Sequence, residues 1–129
     1  MTKARLKTID RILEILGESH TIAVCSHMRP DGDCIGSTLG LALALLEQGK
    51  EVTCWNQDPV PAKLRFLDPD QLIQTPRPIK RAFDCVVAVD AASIDRLGTA
   101  EKHIANRKTL INIDHHASNT RFGDVNWIA

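Results

Sequence analysis

Three short, almost wholly apolar runs constrain this chain most: residues 21–26 (TIAVCS), 83–90 (FDCVVAVD) and 109–113 (TLINI). They are rich in β-branched residues and lack the polar alternation of a half-exposed strand, so they predict strands buried on both faces. Segments of helical character separate them. Leu6, Ile9, Leu13 and Leu16, with Ile12 beside them, form one stripe over residues 3–18. Residues 35–48 are apolar on most sides, carry Gly36 and Gly40 four apart, and stop at Gly49. Weaker signals predict strands at 51–56 and 71–74 and short helices at 62–67 and 100–106, with Ser93 a candidate cap. Asp58 to Pro61 and Pro76 to Pro78 are loops. Strands alternating with helices predict one α/β domain over residues 1–129, a mainly parallel sheet with flanking helices.

In such folds ligands bind beyond the carboxyl ends of the strands. His27, Asp31 and Asp33 follow the first run, Asp90 ends the second, and Asp114, His115 and His116 follow the third. A carboxylate at the position of Asp90 is costly to bury unless a cation meets it. In the His27-x-x-x-Asp31-x-Asp33 spacing, Pro30 favours an extended Arg29 and Gly32 lets the backbone turn between the two acids. Capping could account for Asp33 alone, and a turn for Asp90 alone. Capping does not account for three of the five histidines and four of the eleven aspartates standing at three strand ends, whereas a dinuclear metal site does. Oxygen-rich ligands with a few imidazoles favour Mn²⁺, Mg²⁺ or Fe²⁺ over thiolate-type zinc. His20 and His103 are expected in a loop and on a helix surface.

Charge and cysteines bound the rest. Sixteen basic residues balance sixteen acidic ones, so no basic surplus exists for a long duplex nucleic acid. The longest apolar run, residues 41–46, is far below the ~18 to 20 residues of a membrane span, and no secretory leader is evident, which makes the cytoplasm the expected compartment. Cys25, Cys34, Cys54 and Cys85 form no C-x-x-C pair and are expected as buried reduced thiols. Cys34, inside the polar cluster, is the exception to watch, being also placed for oxidation or metal binding.

The segments SHMRPDGDCIGS (26–37), VDAAS (89–93) and DHHASN (114–119) resemble the three successive motifs of the DHH phosphoesterase superfamily. The wording is most similar to the branch of nano-RNases (oligoribonucleases) that also act as phosphatases on 3′-phosphoadenosine 5′-phosphate (pAp). The resemblance implies a Rossmann-like three-layer DHH domain holding two Mn²⁺. His27 and Asp31 would hold one ion, Asp33 and His115 the other, and Asp90 would bridge them, with His116 facing the scissile phosphate and Asp114 orienting an imidazole. A hydroxide shared by the ions would then attack phosphorus. Arg29, Asn119 and Arg121 are candidate substrate contacts, Ser118 and Asn119 also serving the turn after the triplet. Short oligoribonucleotides or small phosphorylated nucleotides are the implied partners, and a homodimer is compatible with the reading. Inorganic pyrophosphate or cyclic dinucleotides are the alternative substrates within the superfamily, and a non-catalytic module that only binds metal or nucleotide is the alternative outside it. Family members carry a further Asp on a later strand and a C-terminal substrate-binding domain, so the chain is expected to be part of a longer protein, with its NWIA ending near the entry to a helix.

Overall fold

The computed structural model describes residues 2–129. Helix α1 (Lys3–Glu18) leads into strand β1 (Thr21–Cys25), helix α2 (Gly32–Glu47), β2 (Glu51–Trp55), a 3-10 turn (Ala62–Leu67) and the short β3 (Ile73–Gln74). Then follow β4 (Phe83–Val89), a second 3-10 turn (Ile94–Leu97), helix α3 (Ala100–His103), β5 (Arg107–Asp114) and β6 (Val125–Ile128). All six strands pair in parallel in the order β3-β2-β1-β4-β5-β6. The chain order reverses between β1 and β4, and such a switch point opens a crevice at the carboxyl ends of the flanking strands.

Both sheet faces are covered, which is why the strand runs carry no polar alternation. Ile12, Ile15 and Leu16 of α1 and Ala42 and Leu45 of α2 pack on Ile22, Val24, Val87 and Ile111. On the other face Leu97, Ala100 and Ile104 pack with Trp55, Phe83, Val86 and Leu110. Trp55 and Phe83 meet edge to face at 5.6 Å, an arrangement aromatic quadrupoles favour. Cys25, Cys54 and Cys85 lie buried in three strands, where burial pushes each thiol up to about 12. No helix is long and apolar enough to cross a membrane among the described residues.

Several local expectations change. Helix α2 starts at Gly32 rather than residue 35, because Asp31, not Asp33, caps it: its Oδ1 accepts from the Cys34 backbone N–H at 2.9 Å. Arg29 is not extended; its φ is +56° and its N–H donates to Asp58 Oδ2 at 2.7 Å, a tertiary bond that overrides the bias set by Pro30. Ser93 precedes the 3-10 turn without a side-chain capping bond. The closing VNWI segment is strand β6, paired with β5 from Ile111↔Val125 to Asp114↔Ile128, not a helix entry, because ladder bonds along β5 outweigh a local pattern that small.

Candidate active site

Strand register alone brings the ligand candidates together. β1 pairs with β4 as far as Cys25↔Ala88, so continuing by two residues sets His27 opposite Asp90. β4 pairs with β5 as far as Val89↔Ile113, and the Asp90 N–H donates to Ile113 O at 3.0 Å, which brings Asp114 alongside. Asp90 itself has φ +58°, a left-handed conformation that Asp tolerates better than most residues and that turns the chain sharply off its strand.

Asp90 is the centre of the cluster and is buried. Its Oδ2 lies 3.4 Å from His27 Nε2 and its Oδ1 2.8 Å from His115 Nε2. His27 Nε2 is also 3.8 Å from Asp31 Oδ1, and His115 Nε2 is 3.3 Å from Asp33 Oδ2. Two groups of ligand atoms each fit within 4.8 Å and share Asp90: His27 with Asp31, and Asp114 with His115 and His116.

The donor chemistry favours a cation. A carbonyl oxygen can only accept, so the 2.6 Å contact from His27 Nδ1 to Met28 O fixes the proton on Nδ1. In the neutral ring Nε2 then presents a lone pair toward two carboxylates, an arrangement that a divalent ion between them satisfies. The hydrogen bond to Asp90 raises the His115 pKa, helped by the charges of Asp90 and Asp33 and opposed by desolvation. A protonated His115 places positive charge between the two carboxylates, the charge a metal ion would supply. The His27, Asp31 and Asp90 group fits an ion with oxygen and nitrogen ligands. In the second group Asp114 and His116 are hydrogen-bonded to each other, which leaves Asp90 and His115 to face an ion, with Asp33 beside His115 but outside both groups.

Asp114 sits behind this cluster. Its side chain is fully buried; Oδ1 accepts from His116 Nδ1 at 2.6 Å and Oδ2 from Asn119 Nδ2 at 2.8 Å. Burial works to raise its pKa, but the bonds from Asn119, the His115 backbone N–H and His116 together hold it below the usual carboxylate value. With Nδ1–H engaged, His116 keeps Nε2 free. Asn119 is spent on the fold of the loop: it also donates to Ala91 O, and its Oδ1 accepts from Asn112 Nδ2 at 2.8 Å and from the Arg121 N–H at 2.7 Å.

A cleft of about 510 Å³ opens over the cluster, lined by His27, Asp31, Asp90 and His116 together with Ser93, Arg96, Ser118 and Thr120. Arg29 and Arg121 lie outside this lining, in flanking loops with φ of +56° and +54°. Sequence reasoning missed Arg96, whose side chain is exposed and has no carboxylate partner among the described residues. The backbone around it is fixed, since Arg96 O accepts from the Met28 N–H at 2.7 Å. Its place six residues after Asp90 was the available signal. Cys34 is buried under the loop, with Sγ 3.8 Å from His27 O; burial foremost, with the charges of Asp90 and Asp31, pushes its thiol to about 11, so it is protonated at neutral pH.

The DHH family, N-terminal domain, matches residues 21–128. Over 107 residues the chain is 39% identical to the bifunctional oligoribonuclease and PAP phosphatase NrnA of Thermus thermophilus, a match that covers 83% of this chain and 31% of that protein. The chain therefore spans about a third of the length of this curated relative. In fold it is similar to an exopolyphosphatase-related protein from Bacteroides fragilis, with a TM-score of 0.84 and 24% identity over 98% of this chain and 40% of that one. The three motif segments stand where the sheet topology brings strand ends together, and the family match runs from β1 through β6: the chain belongs to the DHH family.

Proposed function

We propose that this chain is the metal-binding part of a longer phosphoesterase that hydrolyses short oligoribonucleotides and pAp. The observation that supports it most is the sharing of Asp90 by two ligand groups at the sheet's switch point. His27 and Asp31 would hold one divalent ion, Asp33 and His115 the other, and Asp90 both, with Mn²⁺ the preferred metal for this mixture of carboxylates and imidazoles. When bound, such ions neutralise phosphoryl oxygens and activate a water for attack on phosphorus. The remaining ligand and a substrate-binding domain would come from the rest of the protein.

The chain's own residues then divide the work. Asp114 holds the His116 ring at the cleft through Nδ1–H, and in the imidazolium form the ring would also donate from Nε2–H where negative charge develops on the phosphoryl group. Arg96 supplies a positive charge to the substrate phosphate, and Ser93, Ser118 and Thr120 line the same cleft. The activities for which NrnA of Thermus thermophilus is named and the oxygen-rich donor set both favour this reading.

The test is a panel assayed side by side with the full-length protein and Mn²⁺: pAp, di- to pentaribonucleotides, pyrophosphate and cyclic dinucleotides. Turnover of pAp and the short oligoribonucleotides is expected; turnover of pyrophosphate or cyclic dinucleotides alone would overturn the substrate assignment. In the same assay Arg96→Ala should raise KM about 10-fold through loss of a charge-assisted phosphate contact, whereas Arg29→Ala and Arg121→Ala should change it by less than about 3-fold. Equal effects at all three positions would remove the special place given to Arg96.

A further inference from the structure

The residues that follow β2 do not appear in any of the three motif segments, yet they hold the loop that carries His27. β1 and β2 pair as far as Cys25↔Trp55, so Asn56 emerges beside Ser26. Asn56 is 1% exposed, and its amide nitrogen donates to His27 O at 2.7 Å and to Ser26 Oγ at 3.0 Å. Its Oδ1 accepts from the Asp58 N–H at 2.9 Å. Asp58 in turn accepts, through Oδ2, from the N–H of Arg29, the left-handed residue of the ligand loop. Between them, Gln57 Oε1 accepts from the Thr99 N–H at 3.0 Å, tying the tripeptide to the segment that follows Asp90. Gly98, at φ +59°, lets the backbone lie against this side chain: a Cβ there would stand 2.0 Å from Gln57 Oε1 and displace it.

We infer that Asn56, Gln57 and Asp58 form a positioning clamp, with Asn56 selectively supporting the ion held by His27 and Asp31. Rotation of the His27 peptide is blocked at its carbonyl by Asn56, while the His27 ring is fixed through Nδ1 by the next carbonyl, Met28 O. The ring's free Nε2 is thereby aimed at Asp31 and Asp90. Among the described residues no hydrogen bond of the clamp reaches His115 or Asp33; His115 meets Asp90 at Oδ1, whereas His27 meets it at Oδ2. The clamp therefore acts on one ion site and not on the other. This rests on the two-ion reading above.

The experiment is a Mn²⁺ titration of the full-length protein by calorimetry, with the bound ions followed by electron paramagnetic resonance. Wild type should take up two ions. Asn56→Ala should lose about 10- to 100-fold in affinity for one of them, the effect typical of a lost outer-shell contact, and keep the other within about 3-fold. Asn56→Asp retains the shape and the acceptor for the Asp58 N–H but lacks the donor to His27 O, so it should show the same selective loss and serves if the alanine variant does not fold. Asp58→Asn keeps an acceptor for the Arg29 N–H and should bind both ions within about 3-fold of wild type. Both ions weakened alike, or neither, in the Asn56 variants would overturn the clamp. A wild-type protein that takes up no ion would instead overturn the metal reading itself.

Discussion

In the full-length protein, Asp90→Asn should abolish hydrolysis of pAp and of short oligoribonucleotides, lowering kcat by at least ~10³-fold, about 4 kcal/mol of transition-state stabilisation. The substitution isolates charge. Asn has the shape of Asp and also tolerates the left-handed backbone observed at residue 90, φ +58°. What disappears is the anionic centre on which His27 Nε2 converges at 3.4 Å and His115 Nε2 at 2.8 Å. Since both ligand groups pass through this one residue, the loss is expected at both proposed ion sites. Circular dichroism should match wild type, and thermal unfolding should match it closely in a metal chelator, where neither protein gains stability from bound ions, which separates lost chemistry from lost fold. Activity within about 10-fold of wild type would remove Asp90 from its central role.

Asp114→Asn should have the second-largest effect, in stability as well as rate. Both Asp114 oxygens face donors, His116 Nδ1 at 2.6 Å and Asn119 Nδ2 at 2.8 Å. An amide can offer an oxygen to only one of them, and its NH₂ is then set against the other donor inside a fully buried pocket. The expected cost is about 1–3 kcal/mol in urea unfolding at pH 7, with kcat lowered about 10- to 100-fold as His116 loses its orientation.

Acid dependence provides a signature. The folded Asp114 has a pKa below its ordinary 3.8, so its ionised form contributes stability that is fully present above that value and is lost as pH falls through it toward the folded pKa. Asp84 behaves in the same sense, its carboxylate being held low by the backbone N–H groups of His20 and Thr21. Wild-type stability measured in a metal chelator should therefore drop as pH is lowered from about 5 to about 3, and the Asp114→Asn protein should drop less steeply over that interval. An equally steep decline would show that Asp114 does not contribute in its charged form.

The sheet was legible because burial on both faces removes polar alternation, so Ile22 to Cys25 and Cys85 to Val89 stand out as unbroken apolar segments. The ligand candidates were legible for a related reason: in a parallel sheet the residues just past each strand share one edge, and His27, Asp90 and Asp114 occupy those places. Features set by tertiary partners were not legible. The left-handed Arg29 depends on Asp58, 29 residues away, and nothing adjacent to Arg29 announces it. Strand β6 exists because β5 offers it a ladder, while its own four residues are only half-buried and weakly patterned. Asn56 was not singled out: it follows a strand that itself carries Glu51 and Thr53, and it opens a polar run with Gln57 and Asp58 that reads as an ordinary loop. Its partner is a backbone carbonyl across the sheet, so its residue type alone gave no hint of the role.

Elemental analysis and calorimetric Mn²⁺ titration of the full-length protein, wild type beside Asp90→Asn, test the central claim most directly. About two ions per wild-type chain and close to none in the Asp90→Asn protein are expected, because Asp90 is shared by both ligand groups. A wild-type protein without bound metal, or an Asp90→Asn protein that still holds two ions with wild-type affinity, would contradict a dinuclear centre built on Asp90.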